Sequence, residues 1–197
     1  MQKINVVQVF LILTKTIGKH SMNNHQLDKE ELRNIKHDRK DFKNIKRKEL
    51  YIILDDLKVH HNIGTIIRLA DAVLAKKVYL CGKTKTLPNQ KIKSSSRGSE
   101  KWVDIEYREN IVELINELKE NDIQIVSLEI TNHSIPYYDF IPSKKVALVL
   151  GHEYDGVNKE VISLSNSCIH LPISGMCNSI NVSCACSVAM YHIINYL

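Results

Sequence analysis

The sequence predicts an α/β fold in which a parallel β-sheet is covered by helices on both faces. Short apolar runs typical of buried strands occur at residues 51–54 (YIIL), 77–81 (KVYLC) and 146–150 (VALVL). The segments 61–75 and 111–120 carry apolar residues at helical spacing instead. Strands that alternate with helices are typical of parallel sheets, so we expect both faces of this sheet to be covered.

The first predicted strand, residues 51–54, ends at a pair of aspartates. The helix that follows, residues 61–75, has Asn62 at the place of an N-cap, which is the structural alternative to any chemical role. Arg68 lies to one side of the apolar stripe of this helix. By spacing alone, such an arginine is expected to be ordinary solvated surface.

The middle of the chain alternates between short strands and their connections. A serine-rich basic stretch, residues 94–99, lies in a long connection that reaches Glu100. We expect it to be a mobile connector, although it could order around a phosphate. The later segments are predicted, in order, as a strand at 102–107, a helix at 111–120, a strand at 123–128, a loop at 131–145 and the strand at 146–150.

Two strand ends near the carboxyl terminus are each followed by a glycine loop. The strand 146–150 stops at Gly151, and a second strand ends at residues 171–172 before a loop with Gly175. A helix is predicted to open at residues 179–181 and to continue to the last residue. Backbone amides presented together at one sheet edge are typical of small-ligand sites in α/β proteins. The absence of G-x-G-x-x-G and P-loop patterns argues against an ordinary Rossmann or P-loop nucleotide site.

The composition indicates a soluble globular chain with a basic surface. Hydrophobic residues make up 44% and charged residues 25% of the 197 residues, which fits one domain, or one domain with an appendage. The 27 Lys and Arg residues outnumber the 22 Asp and Glu residues, and the net charge of +5 favours a polyanionic partner. A basic protein without such a partner would have the same composition.

The cysteines are predicted to be free thiols in a reducing compartment, which favours a cytoplasmic location. Their number, five, is odd, no C-x-x-C pair occurs, and no secretory signal is recognisable. Cys184 and Cys186 lie two apart on a predicted helix, so they point to different sides and cannot easily share a metal. No metal site is therefore expected, and the cysteines are interpreted as small buried hydrophobes.

The first 49 residues are predicted to be an extension of the main domain, residues 50–197. The apolar run at 5–13 is too short to span a bilayer, and we expect residues 1–21 to be an upstream segment that precedes Met22. Residues 28–48, the basic arm, carry nine Lys or Arg residues against five acidic ones. This arm has two interpretations: a solvated helical face or linker, or a segment that contacts nucleic-acid phosphates.

Three motifs occur in a fixed order along the main domain. They read NIGTIIRLADA at residues 62–72, GHEYDG at 151–156 and, after an L-P strand end, SINVS at 179–183. Together they resemble the three motifs of the SpoU (TrmH-like) branch of the SPOUT RNA methyltransferases, which are N-x-x-x-x-x-R-x-A-D-A, G-x-E-x-x-G and S-L-N-V-S. The resemblance covers residues 50–197.

This resemblance implies a SPOUT-type α/β domain, in which a parallel sheet is flanked by helices and the C-terminal segment forms a deep trefoil knot. It also implies a homodimer that binds S-adenosyl-L-methionine in the knot, with an active site completed near the subunit boundary. The family positions that contact the cofactor through the backbone correspond to Gly151, Leu171 and Ile180. The polar and charged positions of the family's active site correspond to Asn62, Arg68, Glu153, Ser179 and Asn181.

Several of these residues have structural alternatives. Ser179 and Asn181 would also serve as helix caps, and Gly151 as a simple turn glycine. Glu153 is expected to orient Arg68 or to brace its own loop. The guanidinium of Arg68 is not expected to lose its proton, so we interpret it as a bidentate phosphate ligand rather than as the proton acceptor. Histidines near the motifs lack a fixed ligand spacing and are interpreted as surface residues: His60, His61 and His152.

The function predicted from this resemblance is S-adenosylmethionine-dependent methylation of ribose 2′-hydroxyls in structured RNA. Transfer RNA is favoured over ribosomal RNA because the chain has a short basic arm and no recognisable additional RNA-binding domain. Two alternatives stay open: an RNA-binding protein that kept the fold and lost catalysis, and an unrelated flavodoxin-like nucleotide binder.

Overall fold

A computed structural model describes residues 25–36 and 38–197 of the chain. These residues belong to two compact units, Met1–Ile45 and Lys46–Leu197. Our expectation that residues 1–21 form an upstream segment lies outside the described ranges. Among the helices of the described residues, none is long and apolar enough to cross a lipid bilayer.

The smaller unit contains one short capped helix in its described part. Helix α1 (Lys29–Asn34) begins after Asp28, whose carboxylate accepts hydrogen bonds from the backbone amides of Glu30 and Glu31. The Glu31 carboxylate in turn accepts from the Asp28 amide, which completes a capping box. A 3₁₀ turn follows at Phe42–Asn44. The described part of the basic arm is therefore partly helical.

The larger unit is built on a seven-stranded sheet in which every neighbouring pair of strands is parallel. In chain order the strands are β1 (Lys48–Asp55), β2 (Ala75–Cys81), β3 (Ile105–Arg108), β4 (Gln124–Leu128), β5 (Ile135–Pro136), β6 (Val146–Leu150) and β7 (Ser167–His170). Their spatial order is β3-β2-β1-β6-β4-β7-β5. The predicted parallel sheet is thus confirmed.

Helices cover both faces of this sheet, as predicted. They are α2 (His60–Ala72), α3 (Gln90–Ser96), α4 (Ile111–Glu120), α5 (Lys159–Leu164) and α6 (Val182–Ile193). Residues of α2, α3 and α6 enter one hydrophobic core, and residues of α4 and α5 enter the other. Asparagine side chains accept hydrogen bonds from first-turn amides and so fix where four helices begin: Asn89, Asn110, Asn158 and Asn181.

The central strands supply side chains to both cores. Strand β1 places Ile52 and Leu54 in the core beneath α2 and α6, and Ile53 in the opposite core. Its neighbour β6 alternates in the same way with Leu148 and Val149. All five side chains are fully buried. A strand that is apolar on both sides is what a parallel sheet covered on both faces requires.

The connection between β2 and β3 is more ordered than the sequence suggested. We expected a mobile connector up to Glu100, but Gln90–Ser96 forms α3 and Ser99–Lys101 forms a 3₁₀ turn. The expectation is wrong because Asn89 caps the helix and because Ile92, its one large apolar residue, is fully buried in the core shared with α2.

Three other predicted segments differ from the structure. The strand expected at 102–107 is shorter and begins at Ile105. The loop expected at 131–145 contains β5 and the 3₁₀ turn Tyr137–Asp139. Between the last two motifs the structure adds α5, and β7, the strand predicted to end at residues 171–172, ends at His170. Short elements of this kind carry too few residues for a periodic signal.

Two helices begin at residues other than those predicted. Helix α2 begins at His60 after Val59, so Asn62 lies inside its first turn and is not its N-cap. Helix α6 begins at Val182 and is capped by Asn181, so Ser179 lies before the helix rather than at its cap.

Candidate active site

A cavity of about 590 Å³ opens at the carboxyl-terminal edge of the sheet, where β4, β6 and β7 end. Its walls are residues 128–130 after β4, the loop 151–157 after β6, residues 170–173 around the end of β7, and residues 179–182 at the start of α6. The volume lies in the roughly 300–1,000 Å³ range of small-molecule sites. Open parallel sheets bind their ligands at this edge.

The loop after β6 closes tightly on itself. A Cβ atom at Gly151 would lie 2.1 Å from the carbonyl carbon of Gly156 and from the amide nitrogen of Val157. The Gly156 amide donates to the His152 carbonyl over 2.9 Å, and Gly156 has a left-handed φ of 72°. Gly151 is therefore more than a turn residue, because its lack of a side chain lets the two ends of the loop touch.

His152 stabilises the same loop from within. Its Nδ1 accepts hydrogen bonds from the amides of Tyr154, at 3.2 Å, and Asp155, at 3.1 Å. Both donors are backbone amides, and the Asp155 carboxylate also lies 3.0 Å from the same ring nitrogen. Among residues 25–36 and 38–197, no group of three or more His, Cys, Asp or Glu side chains is arranged to hold a metal ion.

Glu129 is a cavity residue that the sequence did not reveal. It directly follows β4, and its Oε2 accepts a hydrogen bond from the Val157 amide over 3.0 Å. A Cβ atom at Gly156 would lie 2.4 Å from the same oxygen. The only available signal was a carboxylate placed immediately after a predicted strand, and its importance depends on β4 being next to β6 and β7 in the sheet.

Three of the predicted active-site residues form one hydrogen-bonded chain. The side-chain amide of Asn62 donates to Oε1 of Glu153 over 3.0 Å, and Asn181 donates to Oδ1 of Asn62 over 3.1 Å. Asn62 is 3% exposed, so its polar atoms depend on these partners. The chain connects α2, the loop after β6 and the start of α6 at the edge of the cavity.

Asn181 serves the chain and caps a helix at the same time. Its Oδ1 accepts from the Ser183 amide over 2.9 Å and from the Cys184 amide over 3.4 Å. The Ser183 hydroxyl donates to the same oxygen over 2.7 Å. The structural alternative for Asn181 is therefore correct, and it leaves the Nδ2 group free to contact Asn62.

Glu153 braces the segment that leads into α2. Its carboxylate accepts from the backbone amides of Lys58, at 3.2 Å, and Val59, at 2.9 Å, in addition to Asn62. Burial alone would raise the pKa of Glu153, but the hydrogen bonds from Asn62 and from these amides lower it below the usual range. Glu153 is therefore an ionised acceptor at neutral pH, and none of its hydrogen bonds comes from Arg68.

Arg68 and Ser179 are exposed and take no part in the hydrogen-bonded chain. Arg68 does not line the cavity, and its side chain has no hydrogen bond or ion pair with the described residues. Six residues of α-helix separate it from Asn62, which corresponds to about 9 Å along the axis and about 120° around it. Ser179 lines the cavity, but its hydroxyl has no hydrogen bond within the described part of the chain.

The three predicted cofactor residues all line the cavity: Gly151, Leu171 and Ile180. They come from two separate loops, after β6 and after β7, that the parallel sheet brings to one edge. Seven of the eight predicted site residues thus lie at this cavity or hydrogen bond to a residue that lines it, and Arg68 is the exception.

Comparison with known proteins identifies the family. The sequence model of the SpoU rRNA Methylase family matches residues 49–191, which is most of the chain. The chain belongs to the SpoU family. The tRNA (guanosine(18)-2′-O)-methyltransferase of Aquifex aeolicus is 33% identical to this SpoU protein over 148 residues, which cover 74% of the chain and 69% of that enzyme.

Two crystal structures resemble the SpoU protein closely in fold. The TrmH/SpoU tRNA modifying enzyme of A. aeolicus has a TM-score of 0.70 and 30% identity, and the match covers 77% of this chain and 76% of that one. The AdoMet-bound rRNA methyltransferase of Sinorhizobium meliloti has a TM-score of 0.69 and 25% identity, and the match covers 77% of this chain and 58% of that one. The SpoU protein thus spans less than two thirds of the S. meliloti enzyme.

The family match covers the whole candidate site of the SpoU protein. All eight predicted site residues lie within residues 49–191, whereas the basic arm at 28–48 precedes that range. The family membership expected from the three motifs is thus confirmed.

Proposed function

We propose that this SpoU protein transfers a methyl group from S-adenosyl-L-methionine to a ribose 2′-hydroxyl of structured RNA. The observation that carries the proposal is the cavity at the ends of β4, β6 and β7, lined by Gly151, Leu171 and Ile180. The hydrogen-bonded chain from Asn181 to Glu153 lies at its edge. The name of the A. aeolicus relative, a tRNA (guanosine(18)-2′-O)-methyltransferase, supports ribose methylation.

The cavity suits this methyl donor in size and in lining. Apolar side chains such as Ile130 and Ile180 offer a surface for a purine ring, and the Glu129 carboxylate can accept hydrogen bonds from ribose hydroxyls or from an ammonium group. S-Adenosylmethionine would supply a methyl group bonded to a positively charged sulfur. The AdoMet-bound state of the S. meliloti relative supports the same donor.

Arg68 would act on the RNA rather than on the methyl donor. Its exposed guanidinium presents five N–H donors in a fork that matches a phosphate. Bound to the phosphate beside the reacting ribose, it would hold the 2′-hydroxyl at near-attack distance. The hydroxyl proton would then pass to that phosphate or to a water molecule, since the guanidinium keeps its own protons.

A homodimer would bring Arg68 to a cavity. Arg68 lies outside the cavity of its own subunit. In a dimer, Arg68 of one subunit would instead reach the cavity of the other subunit. Helix α6 exposes apolar side chains suited to such an interface, including Val188 at 36% and Tyr191 at 51%. Sedimentation is expected to show a dimer at micromolar concentration, and a monomer there would contradict this part of the proposal.

The C-terminal segment would form the trefoil knot. Strand β7 is inserted between β4 and β5, although β4 and β5 are consecutive in the chain. Helix α6 then contacts the connection from β5 to β6. A His192 ring nitrogen forms a hydrogen bond of 2.7 Å with the Phe140 carbonyl in that connection. A segment that enters between two linked strands and then lies against the connection that follows them supports a threaded chain.

Transfer RNA is the substrate that we favour over ribosomal RNA. The A. aeolicus relative carries a tRNA methyltransferase name, although the S. meliloti relative is an rRNA methyltransferase. The short basic arm, with nine Lys or Arg residues at 28–48, would add phosphate contacts without forming a separate RNA-binding domain.

A methyl-transfer assay with radiolabelled S-adenosylmethionine and in vitro transcribed tRNA tests the proposal, with a 23S rRNA transcript as the comparison. The wild-type protein is expected to label tRNA, and Arg68→Ala and Arg68→Lys to label neither RNA. Calorimetry with S-adenosylhomocysteine should give the same affinity for the wild type and both variants. RNA binding without methyl transfer to either RNA would favour a non-catalytic RNA-binding protein. Binding of FMN in place of S-adenosylhomocysteine would favour a flavodoxin-like nucleotide binder.

A further inference from the structure

Residues 83–101, here called the basic segment, concentrate positive charge on one part of the α/β unit. The segment holds six Lys or Arg residues and one acidic residue, Glu100. None of the six has a side-chain hydrogen bond or ion pair with the described residues, and all six are exposed. They are Lys83, Lys85, Lys91, Lys93, Arg97 and Lys101, of which Lys101 lies near the Glu100 charge.

Basic side chains on the neighbouring strands are neutralised instead. Lys77 pairs with Glu106 at 2.7 Å and with Asp104 at 3.2 Å, and Arg108 pairs with Glu117 at 2.6 Å. Carboxylates therefore form ion pairs with cations of β2 and β3, whereas in the basic segment only Lys101 has a carboxylate, Glu100, nearby. Unpaired like charges held together raise the local potential, which favours a polyanion.

The basic segment is anchored rigidly rather than left mobile. At its start, the Thr84 hydroxyl donates to the Leu54 carbonyl over 2.9 Å and accepts from the Leu57 amide over 3.0 Å. At its end, the Ser99 hydroxyl donates to the Asp71 carboxylate over 2.9 Å. These bonds hold both ends of the segment against the β1–α2 region, so the basic side chains extend from an anchored backbone.

Helix α3 approaches α2 closely at a glycine. A Cβ atom at Gly64 would lie 2.0 Å from the Ser95 hydroxyl oxygen and 2.5 Å from the Ile92 carbonyl oxygen. Backbone and side chain of α3 thus fill the place that any other residue at 64 would need. The two helices are therefore fixed relative to each other.

This contact sets the basic segment beside Arg68. Gly64, Arg68 and Asp71 are spaced by four and three residues, so they share one stripe of α2. The basic segment contacts this stripe at Gly64 through Ser95, and at Asp71 through Ser99. Arg97 lies between those two serines in sequence, just as Arg68 lies between Gly64 and Asp71 on the stripe of α2.

We propose that the basic segment is a docking surface for the phosphate backbone of the substrate RNA, and that it guides the strand to Arg68. This inference rests on the function proposed above and assigns it a binding surface. Each Lys or Arg that neutralises a phosphate releases counterions, so affinity depends steeply on salt. Such contacts position a strand without reading its sequence.

The test compares two triple variants that remove the same charge. Lys91→Gln, Lys93→Gln and Arg97→Gln together change the basic segment. Lys119→Gln, Lys144→Gln and Lys145→Gln together remove three charges from outside it. RNA affinity is measured by filter binding with in vitro transcribed tRNA at KCl concentrations from about 50 to about 300 mM, which include physiological ionic strength.

The basic-segment variant is expected to bind tRNA about tenfold or more weakly near 150 mM salt, with a salt slope reduced by about two. Its KM for RNA should rise while kcat and the affinity for S-adenosylhomocysteine stay unchanged. The control variant should keep most of the affinity and slope. Equal losses in both variants, or an unchanged slope in the first, would overturn the proposal.

The same measurements separate this inference from the proposed function. A protein that methylates no RNA but still loses tRNA binding in the basic-segment variant would keep the docking surface and reject the activity. A protein that methylates tRNA equally well in both variants, with equal KM, would keep the activity and reject the docking surface.

Discussion

Asn181 donates a hydrogen bond to Asn62 over 3.1 Å, although 119 residues separate the two side chains. Asn62 in turn donates to Glu153 over 3.0 Å. Because an ionised carboxylate can only accept, Asn62 must present its Nδ2 group to Glu153 and its Oδ1 atom to Asn181. The carboxylate thus fixes the orientation of both amides, and the three family motifs act as one unit.

Asn62→Ala should destabilise the protein and abolish methyl transfer. The change removes one partner each from Glu153 and Asn181, and the loss of a buried hydrogen bond costs about 1–3 kcal/mol. Urea unfolding measures this free energy. Asn116→Ala, at an exposed position of α4, is the control and should change the free energy of unfolding by less than about 0.5 kcal/mol. Equal stability of the two variants would show that the chain contributes nothing to folding.

Glu153→Gln should reduce stability at neutral pH and much less in acid. Burial raises the pKa of Glu153, but the hydrogen bonds it accepts outweigh burial and lower that pKa below its ordinary value of 4.5. A group with a lowered pKa in the folded state stabilises the fold above pH 4.5, and this contribution is lost as the pH falls through the folded-state pKa. Gln keeps an acceptor oxygen but not the charge.

Melting temperatures of the wild type and Glu153→Gln, measured from pH 7 down to pH 3, check this sign. The difference between the two proteins should shrink steadily in the acid range. A difference that stays constant or grows as the pH falls would mean that the carboxylate is not held in its charged form.

Gly151→Ala should disrupt the cavity, whereas Gly175→Ala should not. An added Cβ at Gly151 would lie 2.1 Å from backbone atoms of Gly156 and Val157, so the loop must open. At Gly175 an added Cβ has no atom within 4 Å. Calorimetry should show loss of S-adenosylhomocysteine binding for the first variant and wild-type binding for the second. Wild-type affinity in Gly151→Ala would show that the loop adapts without effect on the cavity.

The motifs could predict which residues meet at the site, but not how they are connected. They identified Asn62, Glu153 and Asn181, and the structure joins all three. They could not place Asn62 inside α2, because the residue at which that helix begins is fixed by a hydrogen bond from a distant part of the chain. Glu153 accepts the Val59 amide, 94 residues away in sequence, and local capping rules do not include such a partner.

The same limit explains what the sequence missed. Helix α3 has one large apolar residue, Ile92, and its stability comes from packing against α2 at Gly64, which no periodic pattern shows. Glu129 gains its role only because β4 lies between β6 and β7 in space. Patterns within one segment predicted the sheet and the motif residues well, whereas contacts between distant segments required the fold.

Asp55→Asn should stabilise the protein at pH 7 to 8. Asp55 lies at the end of β1 and is 5% exposed, and its carboxylate accepts the Asn158 amide over 3.0 Å. Burial raises the pKa of Asp55 above its ordinary value of 3.8; the Asn158 hydrogen bond opposes this, and the nearby charge of Asp56 adds to it. A buried carboxylate therefore costs stability once it is ionised.

The sign of the pH dependence follows from that raised pKa. The folded state binds the Asp55 proton more tightly than the unfolded state, so stability falls as the pH rises from 3.8 through the folded-state pKa. Asn keeps the acceptor for the Asn158 amide and carries no charge at any pH. The gain in melting temperature of Asp55→Asn should thus be largest at pH 7 to 8 and vanish toward pH 4, whereas Asp139→Asn, at an exposed position, should show no such trend. A loss of stability in Asp55→Asn at pH 8 would mean that the ionised carboxylate is favourable at this sheet edge.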